Sequence, residues 1–300
     1  MPALAIATAG QLFMQMPRFS RVVLVAALVL LLSDCASVMS RATNQFANNL
    51  SGAILDQDDP GTVKDGVPAY LLLIDGLIAG DPDNADLLLA GAKLYGAYTG
   101  GFVEDPERSK RLAARAYSYT RRAVCLREKT FCAQLDASFE NFQAALNQQG
   151  VKSVPLLYGF ASAWAGKIQV DSANWNAIAD IPKVQAILER IVALDDHYED
   201  GAAYLYLGVL NSIRPASLGG KPQDGKKYFE KALELSAEKN QMVRVLYAEH
   251  YARLVFDKEL HDKLLNDAIA ADPHAPHLTL VNVLAQRRAK QLLESGKDYF

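Results

Sequence analysis

Cysteine is scarce in this chain of 300 residues, with three copies, and tryptophan is scarcer, with two. Neither sign of charge dominates: 31 Lys and Arg stand against 34 Asp and Glu, for a net charge of -3. That near balance excludes the basic surplus a nucleic-acid footprint requires. Past Leu32 no apolar run approaches the roughly 20 residues needed to span a bilayer. Alternating apolar and polar stretches are missing, which removes the signal of a half-buried strand. There is no Walker loop, no GxGxxG and no GxSxG elbow, so nucleotide, dinucleotide and serine-hydrolase chemistry find no motif, and no cofactor is implied.

What is present begins with Val22 to Leu32, an unbroken apolar run preceded by Arg18 and Arg21. A basic start, a short apolar stretch and a small-residue exit make a secretory signal. The cysteine that follows, in LLSDCAS, resembles a bacterial lipobox. That resemblance implies cleavage before Cys35 and a diacylglycerol on its thiol, tethering the body to a bilayer outside the cytoplasm. Asp34 departs from the Gly, Ala or Ser usual before such a cysteine. A cleaved signal without lipid and an uncleaved anchor are the alternatives. Ala36, rather than Asp, after the cysteine points to the outer membrane, facing the periplasm. Met14 and Met16 are candidate starts. The expected organisation is a signal over 1–34, a tether over 35–52 and a helical body over 53–300.

Cys125 and Cys132 fall in the body, and the periplasm permits disulfides. On one continuous helix they would lie about 10 Å apart along the axis, too far to bridge. Arg127 to Thr130 reads as a turn, which allows a bridge across two antiparallel helices. Two small buried residues are the other reading.

The body carries helical periodicity almost throughout. Asp59-Pro60 reads as a cap with proline in the first turn, and Pro68, Pro82 and Pro106 read as further helix starts. Single helices are expected over FCAQLDASFENFQAALNQ, NWNAIADIPKVQAILERIVAL, YEDGAAYLYLGVLNSI and QMVRVLYAEHYARLVF. The pattern also repeats. Gly91 in an apolar helix leads through a Gly-containing loop to Pro106, and Gly208 leads likewise to Pro222. Tyr204, Leu207, Gly208, Phe229 and Ala232 occupy tetratricopeptide-type positions. The expected fold is all-α: stacked helical hairpins resembling tetratricopeptide repeats.

Three stretches, Gln57 to Tyr117, Leu194 to Ser236 and Ala271 to Phe300, resemble the TRAP-transporter T-component lipoproteins. The RPASLGGKP loop followed by FEKAL is the most specific part. TRAP systems are tripartite, ATP-independent periplasmic transporters. The resemblance implies a helical lipoprotein that pairs with a periplasmic solute-binding protein. It also implies a homotrimer with a pore and a hydrophobic or small organic ligand. The alternative is an envelope-assembly scaffold that uses its repeats only to grip proteins.

No catalytic constellation is visible, and no pair of titratable groups supports an enzyme. His274 and His277 flank Ala275-Pro276 beside Asp272, but the proline breaks the helix that would aim both rings at a metal. Asp56, Asp58 and Asp59 lack the Gly and terminal Glu of a calcium loop. The aromatic residues Tyr158, Trp164, Tyr204, Tyr247 and Tyr251 could line a ligand groove or hold a partner helix; ordinary core packing is the competing role. Arg214 with Gly219, Gly220 and Lys221 forms a loop suited to a partner or a pore rim, or a plain turn in which Gly supplies positive φ.

Overall fold

Capping side chains set where the long helices begin. Asp59 accepts the backbone N–H groups of Gly61 at 2.9 Å and Thr62 at 3.1 Å. Pro60 follows, where an amide hydrogen is not needed. Together they open α1, Pro60–Gly80. Asn84 caps α2, Ala85–Phe102, and Asp105 caps α3, Pro106–Arg127, which starts on a proline. The computed structural model describes residues 44–47 and 49–300. The signal segment and Cys35 lie outside the described residues. Residues 47–300 form one compact unit; of the unit before it, residues 44–46 are described and are helical.

A lead-in helix over residues 49–55 precedes α1. Beyond α3 come α4 (Lys129–Cys132), α5 (Phe139–Leu146), α6 (Val154–Val170), α7 (Trp175–Ile178) and α8 (Ile181–Leu194). Then follow α9 (Ala202–Ser212), α10 (Pro222–Leu235), α11 (Gln241–Leu246), α12 (Lys258–Ala270) and α13 (Thr279–Tyr299). Among the described residues there is no strand, and the chain is all-α. Chain neighbours pack as successive pairs: α1 on α2, α2 on α3, α9 on α10 and α12 on α13. α6 packs on both α3 and α8, joining the first pairs to the rest.

Two apolar clusters hold these pairs. The first runs from Val63 through Leu88, Phe131, Phe160 and Ile187 to Leu207. The second joins Phe229, Val245, Leu265 and Leu292. The repeated glycines sit where paired helices come closest. A Cβ on Gly208 of α9 would lie 2.8–2.9 Å from three ring atoms of Phe229 in α10. Only the missing side chain lets the ring seat there. Gly91 of α2 makes the matching approach to Tyr119 of α3.

Several expected boundaries differ. Pro68 lies inside α1 rather than at a helix start. Val63, Val67, Leu71, Ile74 and Ile78 recur every three or four residues across it, and their burial outweighs the lost backbone bond. The segment read as one helix from Asn174 breaks after α7, where Pro182 takes the first turn of α8. The segment from Phe131 breaks between α4 and α5, where Ser138 caps the second piece. Tyr198–Gly201 is not α-helical: Glu199, Asp200 and Gly201 all have positive φ, of 45°, 55° and 78°. After α11 the chain winds as a π-helix over Tyr247–Ala252. Arg253 and Asp257 there donate to carbonyls five residues back, those of Ala248 and Ala252. Arg253 then reaches the carbonyl of Leu292 at 2.9 Å, Ser295 Oγ at 2.7 Å and Nε2 of the fully buried His261 at 3.2 Å.

Candidate functional site

Cys125 and Cys132 are bridged, with Cα atoms 4.9 Å apart. α3 ends at Arg127 and α4 starts at Lys129, so the chain turns between the two cysteines. That turn removes the axial separation a continuous helix would impose.

The candidate residues fall into three environments. Trp164, Tyr247 and Tyr251 are core residues. Trp164 packs on Phe160 (5.1 Å between centroids) and Tyr117 (5.5 Å), and its indole N–H donates to Asp180 at 3.1 Å. Tyr247 stacks on Phe229 at 5.0 Å and touches Tyr251 at 5.4 Å; the two tyrosines are 3% and 5% exposed. Tyr204 is half-buried on the outer side of α9, with Tyr228 of α10 6.0 Å away.

The loop residues form the second environment. Gly219 has φ +79°, and the Gly220 N–H donates to the Pro215 carbonyl at 3.1 Å. A Cβ on Gly220 would fall 1.8 Å from the Arg214 carbonyl oxygen, so glycine is required for the loop to close. Arg214 and Lys221 are exposed, and among the described residues neither makes an ion pair. The closed loop therefore presents two free cations on a fixed turn.

Tyr158 belongs to the third. It projects from α6 and meets Tyr198 at 5.4 Å and Tyr206 of α9 at 6.2 Å, both edge-on. All three rings are partly exposed, and none of the hydroxyls has a hydrogen-bond partner among the described residues. Glu199 lies beside them and pairs with Lys93 of α2 at 3.6 Å. Burial, followed by the nearby carboxylate, pushes the Tyr206 phenol up to about 12. Burial and then Glu199 do the same for Tyr198, also to about 12. Tyr158 is raised well above its ordinary value, first by burial. All three therefore stay protonated at neutral pH and offer O–H donors. The left-handed run at Glu199 and Asp200 is costly for residues with a Cβ, and it brings Tyr198 and Glu199 to the cluster.

Tyr198, Glu199 and Lys93 were not legible as site residues, because nothing in a helical pattern signals a left-handed turn. A second polar node was missed as well. Asp75 of α1 accepts from Tyr95 at 2.8 Å, Tyr119 at 2.5 Å and Arg115 at 2.5 Å, tying α1, α2 and α3 together. Its signal was a carboxylate inside the apolar run LLLIDGL, a placement that demands partners.

A family model described as TRAP transporter T-component matches residues 56–300. A protein of Treponema pallidum (strain Nichols), described as an uncharacterized protein, is 23% identical over 264 residues. That alignment spans 82% of this chain and 81% of the relative.

Proposed function

The chain belongs to the TRAP transporter T-component family, and on that premise we propose that it is a non-enzymatic accessory of a TRAP transport system. It works in the periplasm, docks the system's solute-binding protein, and is held to the outer membrane by a lipid on Cys35. The observation that carries this reading is the family match, which covers the helical body from residue 56 to its last residue. T-components are transport accessories rather than enzymes. The Cys125–Cys132 bridge suits an oxidising compartment outside the cytoplasm. Among the described residues no helix is long and apolar enough to cross a membrane, which fits a tethered body.

Self-association into a trimer with a pore is part of the proposal, as is a small organic ligand. The ligand's place is the Tyr158–Tyr198–Tyr206 cluster. Its rings offer apolar faces, and its unpartnered hydroxyls offer donors to a compound with an apolar body and acceptor groups. Lys93 and Glu199 sit at the edge of the cluster and orient polar ends. Tyr204 adds half-buried ring surface on the other side of α9. Trp164, Tyr247 and Tyr251 act by holding the helices that carry these groups. Arg214 and Lys221, on the loop closed by Gly219 and Gly220, are the docking cations.

Affinity purification of the tagged protein from its own envelope tests the reading, with mass spectrometry of what co-purifies. Recovery of a periplasmic solute-binding protein in near-equal amount is expected, and R214E/K221E should reduce it. Recovery of outer-membrane assembly factors with no solute-binding protein, under gentle detergent, would replace this reading with the envelope scaffold.

A further inference from the structure

The turn at 271–278 and the segment before α1 are more than two hundred residues apart in sequence, yet they meet in space. His274 Nδ1 lies 2.7 Å from Asp272 Oδ1 on its own turn. Its Nε2 lies 3.7 Å from Asp58 Oδ2 on the lead-in segment. His277 donates its backbone N–H to Asp56, and its ring Nδ1 lies 3.6 Å from Asp56 Oδ2. His277 holds a φ of +60°, a conformation uncommon outside glycine, and its ring lies beside Gly52 of the lead-in helix. Two imidazoles on one turn thus face two carboxylates on the segment through which any N-terminal tether enters the body.

We propose that His274 and His277 form an acid-closed latch that fastens residues 49–58 to the turn at 271–278 and releases them as the pH rises. Each pair is an ion pair only while its imidazole is protonated. The hydrogen bond to Asp272 raises the proton affinity of His274 above its ordinary value, with Asp58 adding to it. A raised histidine pKa means that the fastening is complete below about 6.5 and is lost as pH climbs through the raised value. On the acid side, the backbone N–H and then the ring of His274 hold the Asp272 carboxyl below its ordinary value, so the latch stays charged well into acid.

The charged groups around the latch are Asp56, Asp58 and Asp59 on the lead-in segment, Asp272 on the turn, and Arg287 of α13, which acts on Asp59. Asp59 is engaged as the cap of α1 through Thr62 and Gly61. Among the described residues no group of three or more His, Cys, Asp or Glu is placed to hold a metal, so proton binding is the chemistry this cluster supports. Ala47 and Ile54 of the lead-in pack on the first core and do not titrate. Loosening is therefore local, and the proposal stands whether or not Cys35 carries a lipid.

Hydrogen exchange of the full chain tests it, measured by mass spectrometry at about pH 5.5 and about pH 8, with each rate referred to intrinsic exchange at that pH. Protection of residues 49–58 should fall about threefold or more between the two conditions, while α3 keeps its protection. The H274Q/H277Q variant should lose that difference and at about pH 5.5 match the wild type at about pH 8. Equal protection of 49–58 at both pH values in the wild type, or a pH-dependent fall that survives in H274Q/H277Q, would overturn the proposal.

Discussion

Replacing Cys125 and Cys132 together by alanine removes the covalent tie between the end of α3 and α4 while leaving two small apolar side chains in place. The cysteines are seven residues apart, and closing a loop of that size takes about 8 cal/mol/K of entropy from the unfolded chain. At room temperature this is about 2.4 kcal/mol, all of it acting on the unfolded state. For a domain of this size that corresponds to roughly 5 °C in Tm. The turn also positions Phe131, which is fully buried on Phe142 at 5.4 Å, so loss of the tie is felt in the first core. The assay is guanidinium unfolding of three samples: wild type, wild type with reductant, and the double variant. The two samples lacking the bond should share a lowered midpoint, and the oxidised wild type, unfolded without reductant, should show no reactive thiol from this pair. Two titratable thiols at these positions, or a midpoint indifferent to reductant, would refute the reasoning.

Phe229→Ala empties a fully buried site between Gly208 and Tyr247 and should cost about 3–5 kcal/mol in denaturant unfolding. Gly208→Ala acts on the same contact from the other side; with its Cβ under 3 Å from the ring, it should cost about 1–3 kcal/mol by the same measurement. In an absorbance titration at alkaline pH, Tyr206→Phe should leave the transition near 10 unchanged and remove amplitude near 12, because its phenol ionises late. Asp136 is held below the ordinary carboxyl value by its paired hydrogen bonds with Arg121. Its contribution is present above the unfolded value and is lost as pH falls through the folded one, so Asp136→Asn should flatten the acid limb of the stability profile and leave the neutral-to-alkaline limb parallel.

The periodicity of apolar residues carried the helical class, and local capping chemistry carried the starts of α1, α2 and α3. Gly208 was legible because a glycine in an apolar helix has few reasons other than close approach. What stayed hidden was set by contacts distant in sequence. Pro68 looked like a boundary because its neighbours' burial was not visible. Tyr158 was a candidate from the start, but its partner Tyr198 lies on a left-handed turn that a helical reading smoothed over. His274 and Asp58 were each weighed alone, and only folding placed them together. Tyr247 and Tyr251 share a helical face, as their spacing requires, yet a face does not reveal whether solvent or core lies beyond it.

The π-helix over Tyr247–Ala252 limits the chain lengths this protein can accept. An α-turn closes with one residue fewer, so deleting a single residue here would let the ladder relax to α geometry and rotate everything after it by about 100°. Arg253 would then swing away from the Leu292 carbonyl, Ser295 and His261 together. The same deletion in the exposed turn at Asp83 would meet no such set of bonds. Natural variants and engineered insertions should therefore accumulate between helices and avoid the stretch from Tyr247 to Arg253, where residue count, more than residue identity, is under constraint.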